Sequence, residues 1–397
     1  MKRGCRLSNT TPQSIHTPLI NHPNCQVSGG LDWFEWSAQV VWDQSCFSLI
    51  FDQLQQLKEE CQQENKPEKL TYLLGTVPVW VSRMGKSRGR HFPFHISVGG
   101  IKITLGDWQA GADKQENLTV LLTGRDCLLH GGWESYQFVC SVVESLFGEI
   151  IDEKLTRVDF CLDIANFPVE QLQSLVEKHH FITRLKEVRP QVNLVGNQHT
   201  GFTAGKRPQR LIVYDKLAEI RHKVDQEYVQ ALIDNRYGGQ IPDQATRIEL
   251  QFSRDYLKRM GISRPTDIVK HAPSAIRRFM TETFRMTDRA IVPGTKNHSR
   301  AEIHPLWNSL IEAYERIYGV PLKPSIPIQR SEVNPQQLLK QSVGCFKNIF
   351  LQQGKGITSY SEFIQLVSEE LKKLYPTFEQ QDNFVEEYLF RLTEHIR

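Results

Sequence analysis

Residues 156–164, TRVDFCLDI, alternate polar and apolar side chains without a break. Such period-two alternation sends successive side chains to opposite faces of a β-strand. Val158, Phe160, Leu162 and Ile164 then form a wholly apolar face that a core must cover. Arg157, Asp159, Cys161 and Asp163 share the other face, with the two carboxylates about 7 Å apart along the strand. Like charges that close repel, so ion-pairing cations or a hard divalent cation must offset them. Two further runs behave alike. TRIELQFS (246–253) sets Arg247, Glu249 and Gln251 against Ile248, Leu250 and Phe252, and RLIVYDK (210–216) aligns Arg210, Ile212, Tyr214 and Lys216. Neither is decisive alone: buried Arg–Glu pairs are common, and a strand tyrosine is usually packed with its hydroxyl bonded.

Strand-like runs also occupy 31–42, 77–83, 94–106 and 117–124, with Gly99 and Gly100 placed for a hairpin turn. Apolar residues recur at helical spacing over 47–63, 136–151, 169–181 and 217–234, and through most of the chain after 254. Strands in succession predict an α+β fold: a largely antiparallel sheet with flanking helices, followed by a C-terminal helical region. Residues 1–30 read as a flexible leader, 31–300 as the α+β region and 301–397 as the helical region, with a proline-rich linker at about 320–335.

Several classes drop out. There is no apolar run of about 18 residues to span a membrane and no GxGxxG or GxxxxGK phosphate loop. The eight cysteines include no CxxC pair, which argues against a zinc site or disulfide scaffold and for a reducing, cytoplasmic setting. The formal charge of +3 conceals an asymmetry: residues 151–300 carry 25 Lys+Arg against 18 Asp+Glu. A basic middle points to an anionic partner, and its most basic stretch, 254–300, to a duplex.

Tyrosine has one distinctive use with such a partner. Its phenolate attacks a phosphodiester and holds the phosphoryl group as a phosphotyrosine. With a free pKa near 10 it needs a base or a nearby cation, and Lys216 lies two residues from Tyr214. Trp33, Trp36 and Trp80 are candidates for stacking on unpaired bases, although packing is the more frequent fate of a tryptophan. Cys161, between the two aspartates, is a small filler, since a soft thiolate suits a hard cation poorly.

The runs NLTVLLTGRDC (117–127), LTRVDFCLDIAN (155–166), TGFTAGKRPQRLIVYDKLAE (200–219) and ATRIELQFSRDYLKR (245–259) follow one another in an order and spacing that resembles the replication initiation factor family. That family comprises rolling-circle plasmid and phage replication initiators and related relaxases of integrative elements. The resemblance spans about residues 31–320. It implies a site-specific DNA endonuclease and strand transferase. Such an enzyme nicks one strand at an origin, leaves a 5′-phosphotyrosine and a 3′-hydroxyl primer, and later rejoins the ends.

By motif match the nucleophile is Tyr214, within a Tyr-x-Lys-x-x-Glu pattern formed by Tyr214, Lys216 and Glu219. The resemblance further implies a divalent metal, Mg²⁺ or Mn²⁺, held by Asp159, Asp163 and Glu249. DNA contacts fall to Arg157, Lys206, Arg207, Arg210 and Arg247; TAGKRPQR departs from the family pattern in lacking its serines. Implied partners are origin DNA as duplex and single strand, a helicase, a host polymerase and a second copy of the chain, with no membrane. The alternatives are a relaxase for conjugative transfer and, in a different class, a non-catalytic sequence-specific DNA-binding regulator; a DNA-packaging protein is weaker.

Overall fold

The computed structural model describes residues 17–321 and 335–386, except 20–21, 74–76, 88–90, 111–114, 190–193, 196–197, 200, 222, 293–299, 378–379 and 383–384. The first 16 residues of the expected leader and most of the expected linker lie outside the described residues. Twelve strands build one sheet. In chain order they are β1 (Thr17–Leu19), β2 (His22–Trp42), β3 (Glu68–Leu73), β4 (Val77–Ser82), β5 (Phe94–Val98) and β6 (Ile101–Leu105). Then come β7 (Leu118–Leu122), β8 (Gly148–Ala165), β9 (Val188–Arg189), β10 (Gly201–Lys206), β11 (Gln209–Asp215) and β12 (Ala245–Ser253). Across the sheet they run β9, β10, β11, β12, β8, β2, β7, β6, β5, β4, β3, with β1 on β2. Every neighbouring pair is antiparallel.

The fold is therefore α+β, with a large antiparallel sheet and a helical C-terminal region. The helices that matter below are α1 (Lys216–Ile220), α2 (Gln226–Tyr237), α3 (Ile268–Arg278), α4 (Pro305–Tyr318), α5 (Pro335–Gln352) and α6 (Tyr360–Leu374). Two compact units result, Met1–Arg330 and Ser331–Arg397. In the second, Phe350 of α5 meets Phe363 of α6 edge-on at 5.6 Å, and Lys355 pairs with Glu370. No helix among the described residues is long and apolar enough to cross a membrane.

Four expected boundaries move. Strand β2 starts at His22, so residues 22–30 are sheet rather than leader. Gly148 opens β8, so the helical spacing expected over 136–151 stops short of it, and its φ of 149° sits where a Cβ would strike Val41 O at 2.0 Å. The helical run 217–234 is two helices: Asp225 caps α2 by accepting from Tyr228 N at 3.0 Å, and Gly238 ends it in the left-handed region. Finally, α4 is core of the first unit rather than the start of the C-terminal region.

The packing shows why. Val158, Phe160, Leu162 and Ile164 are each 0% exposed, as are Ile248, Leu250 and Phe252 of β12. Against this apolar face α4 lays Tyr314 and Tyr318, with Phe160 and Tyr318 edge-to-face at 5.2 Å, while its Trp307 packs on Phe284. Burying each side chain of this size stabilises by about 1.5–3 kcal/mol. The α4 tyrosine hydroxyls also reach the sheet backbone. Tyr318 donates to Gly30 O (2.6 Å) and Cys161 O (2.8 Å), and Tyr314 to Ile248 O (3.1 Å).

One irregularity decides what the other face carries. Along β8, Asp159 pairs with Trp33 and the next residue, Phe160, with Leu31, so Asp32 is an extra residue in β2. Such a bulge breaks alternation and re-aims side chains. Leu31 and Phe34 stay in the core at 1% and 0% exposure, while the two consecutive residues between them, Asp32 and Trp33, both open onto a cavity.

Candidate active site

The polar faces of β11, β12 and β8 lie side by side in register. Tyr214 sits opposite Arg247, which sits opposite Asp163; in the same way Ile212, Glu249 and Cys161 are opposed across the three strands, as are Arg210, Gln251 and Asp159. Beside Tyr214 opens a cavity of about 410 Å³. Its wall is drawn from the β2 bulge (Asp32, Trp33), the turn after β7 (Thr123, Gly124, Arg125), Tyr214, and helices α1 and α2 (Lys216, Glu219, Tyr228).

Local chemistry sets each wall. Strand β11 ends where Asp215 turns its side chain to cap α1, accepting from Ala218 N at 3.0 Å. Lys216 thus begins a helix rather than continuing the strand, yet its Nζ lies 3.5 Å from the Tyr214 hydroxyl. Its ammonium, 2% exposed, pairs with Glu219. Burial and Arg247 push its pKa down, but Tyr228, Asp32 and Glu219 outweigh them and hold it above the ordinary lysine value. The turn after β7 is a capping box, Asp126 accepting from Thr123 N (2.9 Å) and Oγ1 (2.6 Å). Gly124 in that turn makes room for the bulge: a Cβ there would come within 2.8 Å of Asp32 Oδ1.

Tyr214 donates to Glu249 Oε1 at 2.6 Å. Burial, then the charge of Glu249, raise the phenol pKa well above 10, so at rest it is neutral. Burial also pushes Glu249 up, as does Asp32 beside it, to about 8. Burial opposes the Asp32 charge, yet Arg247, Lys216, Arg236 and a hydrogen bond with Glu249 hold its carboxyl below the usual range. Asp32 is thus the more acidic of the two carboxyls and Glu249 the less, and the tyrosine is bonded to Glu249.

The expected metal ligands do not form a common site. Asp163, 0% exposed, is gripped by Arg247 through Nε (2.6 Å) and Nη2 (2.8 Å). Asp159 is gripped in the same forked way by Arg157 at 2.9 and 2.6 Å; burial, working against Arg157, still brings its pKa to about 6. Glu249 alone reaches the tyrosine. Among the described residues no group of three or more His, Cys, Asp or Glu side chains is placed to hold a metal ion. The carboxylate repulsion read from the strand is relieved by Arg247 directly opposite Asp163 and by Arg157 two residues before Asp159, and the structure does not bring the two aspartates together with Glu249 as the expected ligand set.

Arg247 is corrected as a DNA contact for the same reason. It is 1% exposed, and a third bond, Nη1 to Asp32 Oδ1 at 2.6 Å, completes its pairing. Arg157 is 22% exposed and lies over the Trp33 ring. Lys206 and Arg207 are exposed at the β10–β11 turn and Arg210 is half-buried on the strand below it. That turn stands about 20 Å along β11 from Tyr214. In the 254–300 stretch part of the charge is taken up: Arg264 pairs with Asp152, Arg277 with Glu315 and Arg278 with Glu282. Residues 293–299 lie outside the described residues.

Sequence reasoning missed Asp32, Arg125 and Tyr228. Arg125 pairs with Asp225 (2.7 Å) and Glu227, and the Tyr228 ring lies under Lys223 at 4.4 Å. The run NLTVLLTGRDC held the signal for Arg125; nothing in LDWFEW announces a bulge.

No family model matches the sequence, and no curated protein matches it. Among solved structures the chain is similar to a rolling circle replication initiator protein from Geobacillus stearothermophilus, at 15% sequence identity and a TM-score of 0.44, over 76% of this chain and 100% of that one.

Proposed function

We propose that this protein nicks and rejoins one DNA strand through Tyr214, as a rolling-circle replication initiator does. The observation that carries the reading is the tyrosine itself. Its hydroxyl is bonded to an acid of raised pKa and lies beside a buried ammonium, at the wall of a cavity open to a substrate. A phenol that merely packs has no need of that arrangement. The exposed Lys206 and Arg207 and the half-buried Arg210 support an anionic partner running along β11 towards the cavity.

In the proposed reaction Tyr214 Oη attacks the scissile phosphorus as its proton passes to Glu249 Oε1. The bond from phosphorus to the 3′ oxygen breaks, that oxygen takes up a proton from solvent as Glu249 returns its own to solvent, and the 5′ side stays on the tyrosine. Lys216 supplies positive charge to the attacking oxygen and the phosphoryl group. Removing such a donor costs about 10²–10³ in rate, and Lys216→Met should show a loss of that size in single-turnover nicking.

The pH dependence follows from the acid pair. Glu249 accepts a proton only once its own has left, so the nicking rate should rise through a pH of about 8. Asp32 is the like charge that helps hold Glu249 up, so Asp32→Asn should lower the Glu249 pKa and move the rise to lower pH. Single-turnover rates between pH 5.5 and 9.5 check both; an unmoved midpoint contradicts the assigned base. The activity itself is tested on supercoiled DNA carrying the protein's own flanking region, where relaxation with protein attached at a 5′ end is expected. Retention of DNA without nicking would instead indicate the non-catalytic regulator.

A further inference from the structure

We infer that Trp33 is a stacking platform for one unpaired nucleobase beside the phosphate presented to Tyr214; the inference rests on the nicking reading above. The three tryptophans that sequence singles out have separate fates. Trp36 is 0% exposed, packed with Phe34 at 5.2 Å and Tyr136 at 5.1 Å. Trp80 is 43% exposed but stands on β4, near the far end of the sheet from β11. Trp33 alone of the three lines the cavity that Tyr214 lines.

Its ring is held before any substrate arrives. The Arg157 guanidinium lies 4.4 Å from the ring centroid, and Asp159 grips that guanidinium in a fork, itself accepting from Gln251 at 3.2 Å. The indole Nε1–H donates to Glu35 Oε2 at 3.2 Å. Arg157 is not part of the cavity wall, so the ring meets the cavity with the surface the guanidinium leaves free. Asp159 thereby acquires a use that metal binding does not give it: it fixes the arginine that fixes the ring. The bulge that turns Asp32 towards Glu249 turns Trp33 towards the same cavity.

A rigid, uncharged, flat wall next to a nucleophile for phosphodiesters suits a nucleobase. Aromatic stacking is sequence-tolerant because every base has a π-face, and a pre-ordered ring gives up little freedom on binding. A base inside a duplex is already stacked on its neighbours, so such a wall favours an extruded single strand. Loss of one stacked base typically weakens binding by about tenfold or more.

The test uses the full chain and single-stranded oligonucleotides spanning the nick mapped with the wild type, each with one abasic nucleotide at a successive position. One position beside the scissile phosphate should weaken wild-type binding about tenfold or more. Trp33→Ala should lose the same factor on the intact oligonucleotide and no longer respond to that abasic position, while the others respond as before. Trp33→Phe should keep most of the response, and Arg157→Ala should lose part of it. The inference is overturned if no position responds in the wild type, or if Trp33→Ala weakens every oligonucleotide alike with the abasic response intact. The wild-type scan and Trp33→Phe decide the matter even where the alanine variant folds poorly. A wild-type chain that binds yet forms no covalent adduct overturns the nicking reading and this inference with it.

Discussion

Tyr214→Phe should form no covalent adduct with DNA, with nicking reduced by at least about 10⁴-fold, the scale seen when an enzyme loses its nucleophile. The change deletes one oxygen and keeps the ring, which is half-buried on β11. The hydroxyl's bond to Glu249 is lost, a stability change of about 1 kcal/mol. Folding and DNA retention should therefore survive, and the variant should bind supercoiled DNA while leaving it supercoiled. Denaturing gels of labelled DNA read the adduct directly. Persistence of the adduct in this variant would remove Tyr214 from the chemistry and leave the hydrogen bond to Glu249 as ordinary packing.

The second large effect is on stability. Arg247→Met removes the forked grip on Asp163, leaving it only Arg236 Nε at 3.4 Å, and takes away the arginine bonded to Asp32. Breaking a buried pair by removing one partner costs about 3–5 kcal/mol, a large fraction of the stability of a domain. Urea unfolding should show a loss of that size. The double variant Arg247→Met with Asp163→Leu should recover part of it, because the buried Asp163 charge goes with its partner while Asp32 and Arg236 each still lose one. A single-variant loss under about 1 kcal/mol would mean that water reaches the pair and that it does not brace the site.

The contrast between these two variants shows what local sequence can and cannot reveal. Strand faces were legible, because alternation is a property of one strand: the apolar faces of β8 and β12 are buried as the pattern demands. Lys216 was placed near Tyr214, though by a helix capped at Asp215 rather than by a continuing strand. Partnerships across strands were not legible. Which arginine faces which aspartate depends on register, and Arg247 meets Asp163 only because β8 and β12 pair with those residues opposed. Hence carboxylates that looked like metal ligands are ion-paired. The Asp32 bulge is set by the pairing of β2 with β8, so no single-strand reading finds it. Charge counted along the chain has the same weakness: Asp152 and Glu315, which neutralise part of the 254–300 stretch, lie outside it in sequence.

These findings divide the polar surface of the sheet into parts with different tasks. The Arg247–Asp163 pair ties β12 to β8, the Asp32–Glu249 pair lies against the Tyr214 hydroxyl, and the Arg157–Asp159 pair holds the Trp33 ring. In each the acid is held by its neighbours, and only the Glu249 carboxyl is bonded to the tyrosine.

The most direct measurement is the site of attachment. Nicked DNA carrying the bound protein is digested with nuclease and trypsin, and the peptides are weighed. Cleavage after Arg210 and Lys216 releases Leu211–Lys216, LIVYDK, in which Tyr214 is the one hydroxyl-bearing residue. The account predicts a residual nucleotide on this hexapeptide and on no other. Nucleotide on a different peptide, or complete nicking with no peptide modified, would contradict it.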